Sequence, residues 1–410
     1  MPSYSHHNHH LASFLQNKEM NEIYLSYGIM NFAIGLISVF IPIYLYDSGY
    51  SIPWVMLFYV LLPLYFVIFA YTGARIVARI GIKRSLLVSI ILTIALFAGM
   101  RKVDTYPWLF WFLPLVYALK AMFYNYSFTL NFIQHSDRKH RGKQVSALQA
   151  SALIASILSP FLGGVMITMF SFKLVFVIAS VLMLASLVPL MFFKETYEKV
   201  TFGKGNLYKE LFYKKNRPMV YSFTGFAVEE WIGYVIWPIF LSVVLGGVKA
   251  VGIVSSLSIG LTFVVIYFVG KITDKKDKRE MIRLATVFYF FGLAGRIFAD
   301  NFVSVLFVDT YKRITGQVLH IPWTSYTYDL AAKSDYFKFI VQREIIFDLS
   351  RVIVIPFIIL IFVINFHPFA ISFILAALFS LLYAALSKAE IDIVPPIKLA
   401  QVEKVKSDAK

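Results

Sequence analysis

The 410 residues contain no cysteine, are 59% hydrophobic and carry only 15% charged side chains, against about 25% charged in soluble domains. That balance excludes an ordinary soluble protein, a disulfide framework and any cysteine-ligated metal or iron–sulfur centre. The net charge of +16 does not point to nucleic acid, because the basic residues sit in short turns between apolar runs. No helix-turn-helix, zinc finger or phosphate-cradling loop accompanies them.

The chain opens on a polar tail, 1–23, with His6, His7, His9 and His10. Lacking acidic or thiol neighbours, these histidines are expected in a disordered tail rather than a metal site. Apolar runs follow near 24–46, 52–74, 86–100, 108–132, 146–170 and 173–193. A polar linker, 194–218, precedes further runs near 219–245, 250–271, 283–298, 302–325, 345–366 and 369–387, and 388–410 is a second tail. About 20 apolar residues cross a bilayer core of ~30 Å. The expectation is an all-α integral membrane protein of twelve transmembrane helices, with the lipid bilayer as its first partner. The first run is long, lacks a small-residue exit and follows Lys18, so it reads as a true span rather than a cleaved signal.

Alternate turns divide the charge unequally. With both ends on one side, thirty Lys and Arg fall on that side and four (Arg101, Lys102, Lys173, Lys249) on the other. The positive-inside rule then makes both termini cytoplasmic, in the plasma (cell inner) membrane.

A repeat runs through the chain at one offset. Pro42-Ile43-Tyr44-Leu45 returns 196 residues later as Pro238-Ile239-Phe240-Leu241, and Ser26-Tyr27 as Ser222-Phe223. Pro160-Phe161 returns as Pro356-Phe357, and the basic turn Arg79 to Lys83 as Lys275 to Arg279. Two six-helix halves, 24–193 and 219–387, follow from this.

Short motifs sit at the turns. After run 8 comes Gly270-Lys271-Ile272-Thr273-Asp274-Lys275-Lys276-Asp277-Lys278-Arg279, and after run 2 Arg79, Gly81, Lys83 and Arg84 recur with Ala78 at the aspartate position. Run 5 carries Ser159-Pro160-Phe161-Leu162-Gly163-Gly164, and run 10 carries Lys312-x-x-Thr315-Gly316. The first loop resembles the signature loop G-x-x-x-D-R-x-G-R-K of the major facilitator superfamily, with Asp277 replacing its second glycine. The run 5 segment is similar to the G-P-x-x-G-G motif of proton-coupled antiporters in that superfamily. The run 10 segment looks like its R-x-x-q-G motif, with Lys120 at the equivalent place in run 4. The resemblance implies two parallel six-helix repeats with a substrate site between them near midmembrane. It also implies gating loops at Arg79, Gly81, Lys83, Gly270, Asp274, Lys275 and Arg279. Pro160, Gly163 and Gly164 read in addition as a helix bend that permits close packing.

Ionisable residues inside a membrane are costly and mark candidate sites. Asp309, Lys312, Arg313, Gly316, Gln317 and His320 share one face of run 10, and Lys120, Tyr124, Ser127 and Asn131 one face of run 4. Run 1 presents Tyr27, Asn31, Gly35, Ser38 and Pro42. In run 7, Glu229 and Glu230 point about 100° apart, and projecting the run 1 stripe by 196 residues favours Glu230 and Tyr234 for the cavity. The expectation is that Asn31, Lys120, Tyr124, Glu230, Tyr234, Asp309, Lys312, Arg313 and Gln317 converge on one midmembrane cavity, with Glu230 pairing with Lys120. Asp348 and Arg351, three apart, read as a pair near the cytoplasmic end of run 11. No metal site, cofactor or enzymatic motif such as H-E-x-x-H or G-x-S-x-G is expected. The functional expectation is a monomeric alternating-access transporter that couples protons to export of a small organic molecule. Symport or uniport of an organic anion is the alternative within that class, and a non-transporting sensor with a transporter fold is the alternative outside it.

Overall fold

The computed structural model describes residues 18–136, 141–191, 195–200 and 202–389. The His-rich start, Arg138, Lys139, Lys194 and 390–410 lie outside the described residues. Among those described there is no strand. The helices are α1 (18–47), α2 (Ile52–Ile80), α3 (Ile82–Met100), α4 (Leu109–His135), α5 (Arg141–Met169) and α6 (172–191). After the linker come α7 (217–245), α8 (Val248–Thr273), α9 (Lys278–Phe298), α10 (Phe302–Ala332), α11 (Tyr336–Ile364) and α12 (Pro368–Lys388).

Nine of these, all except α4, α8 and α10, are long and apolar enough to cross a membrane among the described residues. Helix α10 carries Asp309, Lys312 and Arg313, and α4 mixes Lys120 and Asn125 with Tyr and Trp rings. The helices outrun the apolar stretches at the basic turns: α2 continues from 74 to 80, α10 from 325 to 332, and α11 starts at 336 rather than 345. Apolarity marks the membrane-embedded part, whereas the helix continues as long as its backbone bonds propagate.

The principal contacts repeat. In the first half α1 packs on α5 and α6, α2 on α4, and α3 on α4 and α6. In the second α7 packs on α11 and α12, α8 on α10, and α9 on α10 and α12. Advancing each helix number by six turns one set into the other. Two cross-contacts, α2 with α11 and α5 with α8, exchange under the same operation. Backbone irregularities repeat too. Helix α1 breaks into a 3₁₀ turn, Ser38–Phe40, just before Ile41–Asp47, and α7 passes through a π turn, Ile232–Ile236, just before Trp237–Leu245. Both second segments begin one residue before the repeated proline, Pro42 or Pro238. In α5 the equivalent break precedes Ser159–Met169, whereas α11 continues through Pro356.

The linker is not a free connector. A short helix, Lys204–Lys209, and the residues around it bury Phe202, Leu207 and Leu211. Phe202 packs on Phe337 of α11 and Tyr71 of α2, and the Tyr208 hydroxyl donates to the Val67 carbonyl at 2.9 Å.

Helix α5 is wedged between α1 and α8 by its glycines. A Cβ at Gly163 would lie 2.0 Å from the Leu36 carbonyl oxygen, and one at Gly252 of α8 would lie 2.4 Å from that of Pro160. Neither backbone can yield cheaply. Gly163→Ala is expected to destabilise the protein by roughly 1–3 kcal/mol, as overpacked cores do. Gly260→Ala, whose nearest neighbour would be 3.9 Å away, should be near neutral. Thermal unfolding of the two variants in detergent compares them directly, and equal melting temperatures would contradict the packing argument.

Candidate substrate cavity

A cavity of about 390 Å³ opens where α2, α4, α7 and α11 face one another. Helical spacing supplies its walls. Tyr117, Lys120, Ala121 and Tyr124 lie on one face of α4, Phe226, Glu230 and Tyr234 on one face of α7, and Arg343, Phe347 and Arg351 on one face of α11. Tyr59, Leu62 and Pro63 of α2 close the fourth side.

Two sets of bonds bracket this space along α4. Toward one end the hydroxyls of Tyr117 and Tyr234 lie 3.5 Å apart, with the ring of Tyr59 edge-on to Tyr234. Toward the basic end, Asn125 donates to Glu344 at 2.8 Å and Arg343 donates to Thr129 at 3.2 Å. Lys120 and Tyr124 sit between the brackets.

Of the residues expected at one cavity, the structure brings together Lys120, Tyr124, Glu230 and Tyr234. It does not pair Glu230 with Lys120. Arg351 reaches across from α11 and donates to Glu230 at 2.6 Å and to Asp348 at 2.8 Å. Asp348 and Arg351, expected nearer the helix end, therefore belong to the cavity wall. Among the described residues Lys120 has no ion pair, and it packs against the rings of Tyr117 (5.2 Å) and Tyr124 (5.9 Å). Arg343 and Glu344, just ahead of the apolar run 345–366, are cavity residues and pair at 2.6 Å. Asn31 lines another part of the helix and spends its amide on the Tyr27 carbonyl, one turn back.

Asp309, Lys312, Arg313 and Gln317 are also absent from the cavity wall. The polar face of α10 instead meets α7, α9 and α12 inside the second half. Glu229 is the hub: it accepts from Tyr289 at 2.7 Å and Tyr383 at 3.1 Å, and pairs with Lys312 at 3.3 Å. Beside it Asp309 accepts from Arg313 at 2.7 Å and from the Trp237 indole at 3.1 Å. Arg296, fully buried, stacks 4.3 Å above the Trp237 ring. Gln317 is partly buried, and its carbonyl oxygen has no hydrogen-bond partner among the described residues. The adjacent glutamates thus diverge as helical geometry requires, Glu230 to the cavity and Glu229 to the cluster. Sequence reasoning missed Arg296, which lies in the short ninth run. Subtracting the turn cations from the total would have left it inside the membrane.

The motif turns occupy the basic end. Asp274 accepts from the backbone N–H groups of Gly142 (2.8 Å) and Lys143 (3.0 Å), capping the start of α5 with a carboxylate where the helix dipole favours negative charge. A Cβ at Gly142 would lie 2.4 Å from that carboxylate, and one at Gly270 would lie 2.3 Å from Ser146. Arg279 donates to the Tyr326 hydroxyl at 2.9 Å, and Lys275 is exposed. Arg141 and Lys278 both bind Asp329 of α10, at 2.7 and 2.6 Å. In the other half Ala78 has no carboxylate to offer, Arg79 is exposed, and the linker supplies one instead. Glu195 accepts from the backbone N–H groups of Lys83 (2.9 Å) and Arg84 (3.3 Å) over Gly81, where a Cβ would lie 2.2 Å from its carboxylate. Lys83 itself donates to the Met191 carbonyl at 2.6 Å. Pro160, Gly163 and Gly164 stand at the α1–α5–α8 contact, away from the cavity wall.

The repeated packing and the interfacial cavity agree with a direct comparison. The family model described as Major Facilitator Superfamily matches residues 23–334. The chain belongs to the major facilitator superfamily. Among solved structures, it superposes on a D-xylose–proton symporter with a TM-score of 0.67 at 12% identity, covering 91% of this chain and 100% of that one. It also superposes on the human organic anion transporter MFSD10 (TETRAN), TM-score 0.67 at 11% identity, covering 90% and 99%. At such identities the likeness speaks for the fold alone. No curated protein matches it significantly in sequence. The protein is a multi-pass membrane protein of a transporter family rather than an enzyme.

Proposed function

We propose that this protein is a secondary transporter that moves a small organic molecule by alternating access, driven by protons and in the direction of export. The observation that carries the reading is the cavity bracketed by two separate sets of bonds, Tyr117–Tyr234 on one side and Asn125–Glu344 with Arg343–Thr129 on the other. Opening either set alone exposes Lys120 and Glu230 to one side of the membrane. The halves 24–193 and 219–387 move against each other as a monomer, joined by the 194–218 linker, in a plasma membrane with both termini cytoplasmic. Glu230 is the coupling carboxylate: it lines the cavity and shares Arg351 with Asp348, so a proton on Glu230 leaves Arg351 one charged partner, Asp348. Purified protein in liposomes, challenged with candidate substrates under an imposed pH gradient, tests the whole reading. Absence of gradient-driven flux for any class of small organic solute would remove it.

The turn contacts make a gate in this scheme. Asp274→Asn keeps the shape but weakens a charge-assisted cap on α5, so the state held by that contact is less populated. Turnover is expected to fall several-fold with substrate affinity little changed. Weakened binding with unchanged turnover would assign Asp274 to the substrate instead.

A further inference from the structure

The cavity contains three cations and three carboxylates, and their pairing is uneven. Glu344 is held by Arg343, while Glu230 and Asp348 are both held by Arg351. Lys120, on the opposite wall, has aromatic rings around it and no ion-pair partner among the described residues. A lone ammonium in low-dielectric surroundings is unfavourable until an anion reaches it. Much of the remaining lining is aromatic, with Tyr117, Tyr124, Phe226, Tyr234 and Phe347 offering flat and largely apolar surfaces suited to a ring. A volume of about 390 Å³ lies within the range of small-molecule sites.

We propose that the cavity takes a small aromatic or otherwise apolar organic anion, its acidic group held by Lys120 and its body packed between the aromatic rings. An anion satisfies Lys120 without breaking an existing ion pair. A cationic ligand would have to share Glu230 or Asp348 with Arg351 while leaving the lysine uncompensated. The proposal rests on the transporter reading for its meaning, but not for its test.

The test is equilibrium binding to purified protein in detergent, with three probes of similar shape: 1-naphthoate, 1-naphthamide and 1-naphthylmethylamine. Naphthoate is expected to bind at least tenfold more tightly than naphthamide, and the amine more weakly than either. Lys120→Gln should remove the preference for the acid over the amide, and Lys120→Arg should retain the preference. Retention by the arginine variant shows that the site is assembled, and the melting temperature of the glutamine variant checks its fold. Equal binding of acid and amide, tightest binding of the amine, or a full acid preference in Lys120→Gln would each overturn the assignment. Flux is scored separately in liposomes. Lys120-dependent binding of naphthoate without any flux would keep the ligand class and remove the transport reading, whereas flux of neutral or cationic solutes only would do the reverse.

Discussion

Glu230→Gln is expected to abolish the pH dependence of accumulation while exchange at equal pH on both sides stays measurable. The substitution preserves shape and a hydrogen-bond acceptor for Arg351, yet it cannot titrate. A gradient of about one pH unit supplies about 1.4 kcal/mol per proton, a factor of about ten in concentration ratio. Loss of the coupling site therefore removes about tenfold accumulation at that gradient and leaves passive equilibration intact. Asp348→Asn is the informative companion, because Asp348 shares Arg351. Full gradient-driven accumulation in Glu230→Gln, with its loss in Asp348→Asn, would move the proton to Asp348. Retention in both would take coupling away from this cavity altogether.

The second large effect is on stability. Glu229 lies buried with three partners, Tyr289, Tyr383 and Lys312, and Arg296 is buried close by. Glu229→Leu removes the negative member and leaves the cations uncompensated, a change that typically costs about 3–5 kcal/mol. Little folded protein is expected after detergent extraction. Lys312→Leu added to Glu229→Leu removes one stranded charge, so a substantial part of the lost melting temperature should return. Should the single variant melt like the parent, the cluster would not hold the second half together. A double variant no better than the single would place the energetic coupling with Arg296 rather than Lys312.

The helices and their pairing were legible because a bilayer demands long apolar runs and because the 196-residue offset aligned Pro42 with Pro238. The cavity was legible in part. Lys120, Tyr124, Glu230 and Tyr234 were accessible to reasoning since they are polar residues at helical spacing inside apolar runs. Helix α10 misled for a physical reason: a polar face must avoid lipid, but it can do so inside one half as readily as between halves. Arg343 and Glu344 were hidden in what reads as a turn, since α11 begins nine residues before its apolar run. Which cation Glu230 chooses depends on the approach of α7 to α11, and no spacing along one helix encodes a distance between two.

The interrupted backbones of α1 and α7 carry a mechanical consequence. At Ser38–Phe40 and at Ile232–Ile236 the regular i to i−4 ladder has already been given up. The proline that follows in each case lacks the N–H needed to restore it. Bending there sacrifices few additional hydrogen bonds, so each site is a natural hinge. Beyond the hinges lie only seven residues of α1 and nine of α7, and these two short pieces pack against each other. The end of the protein opposite the basic turns can therefore part by swinging two stubs outward, while the long helices that carry Lys120 and Arg351 hold their places. Access at that end and reorganisation of the cavity become separable movements, each with its own barrier.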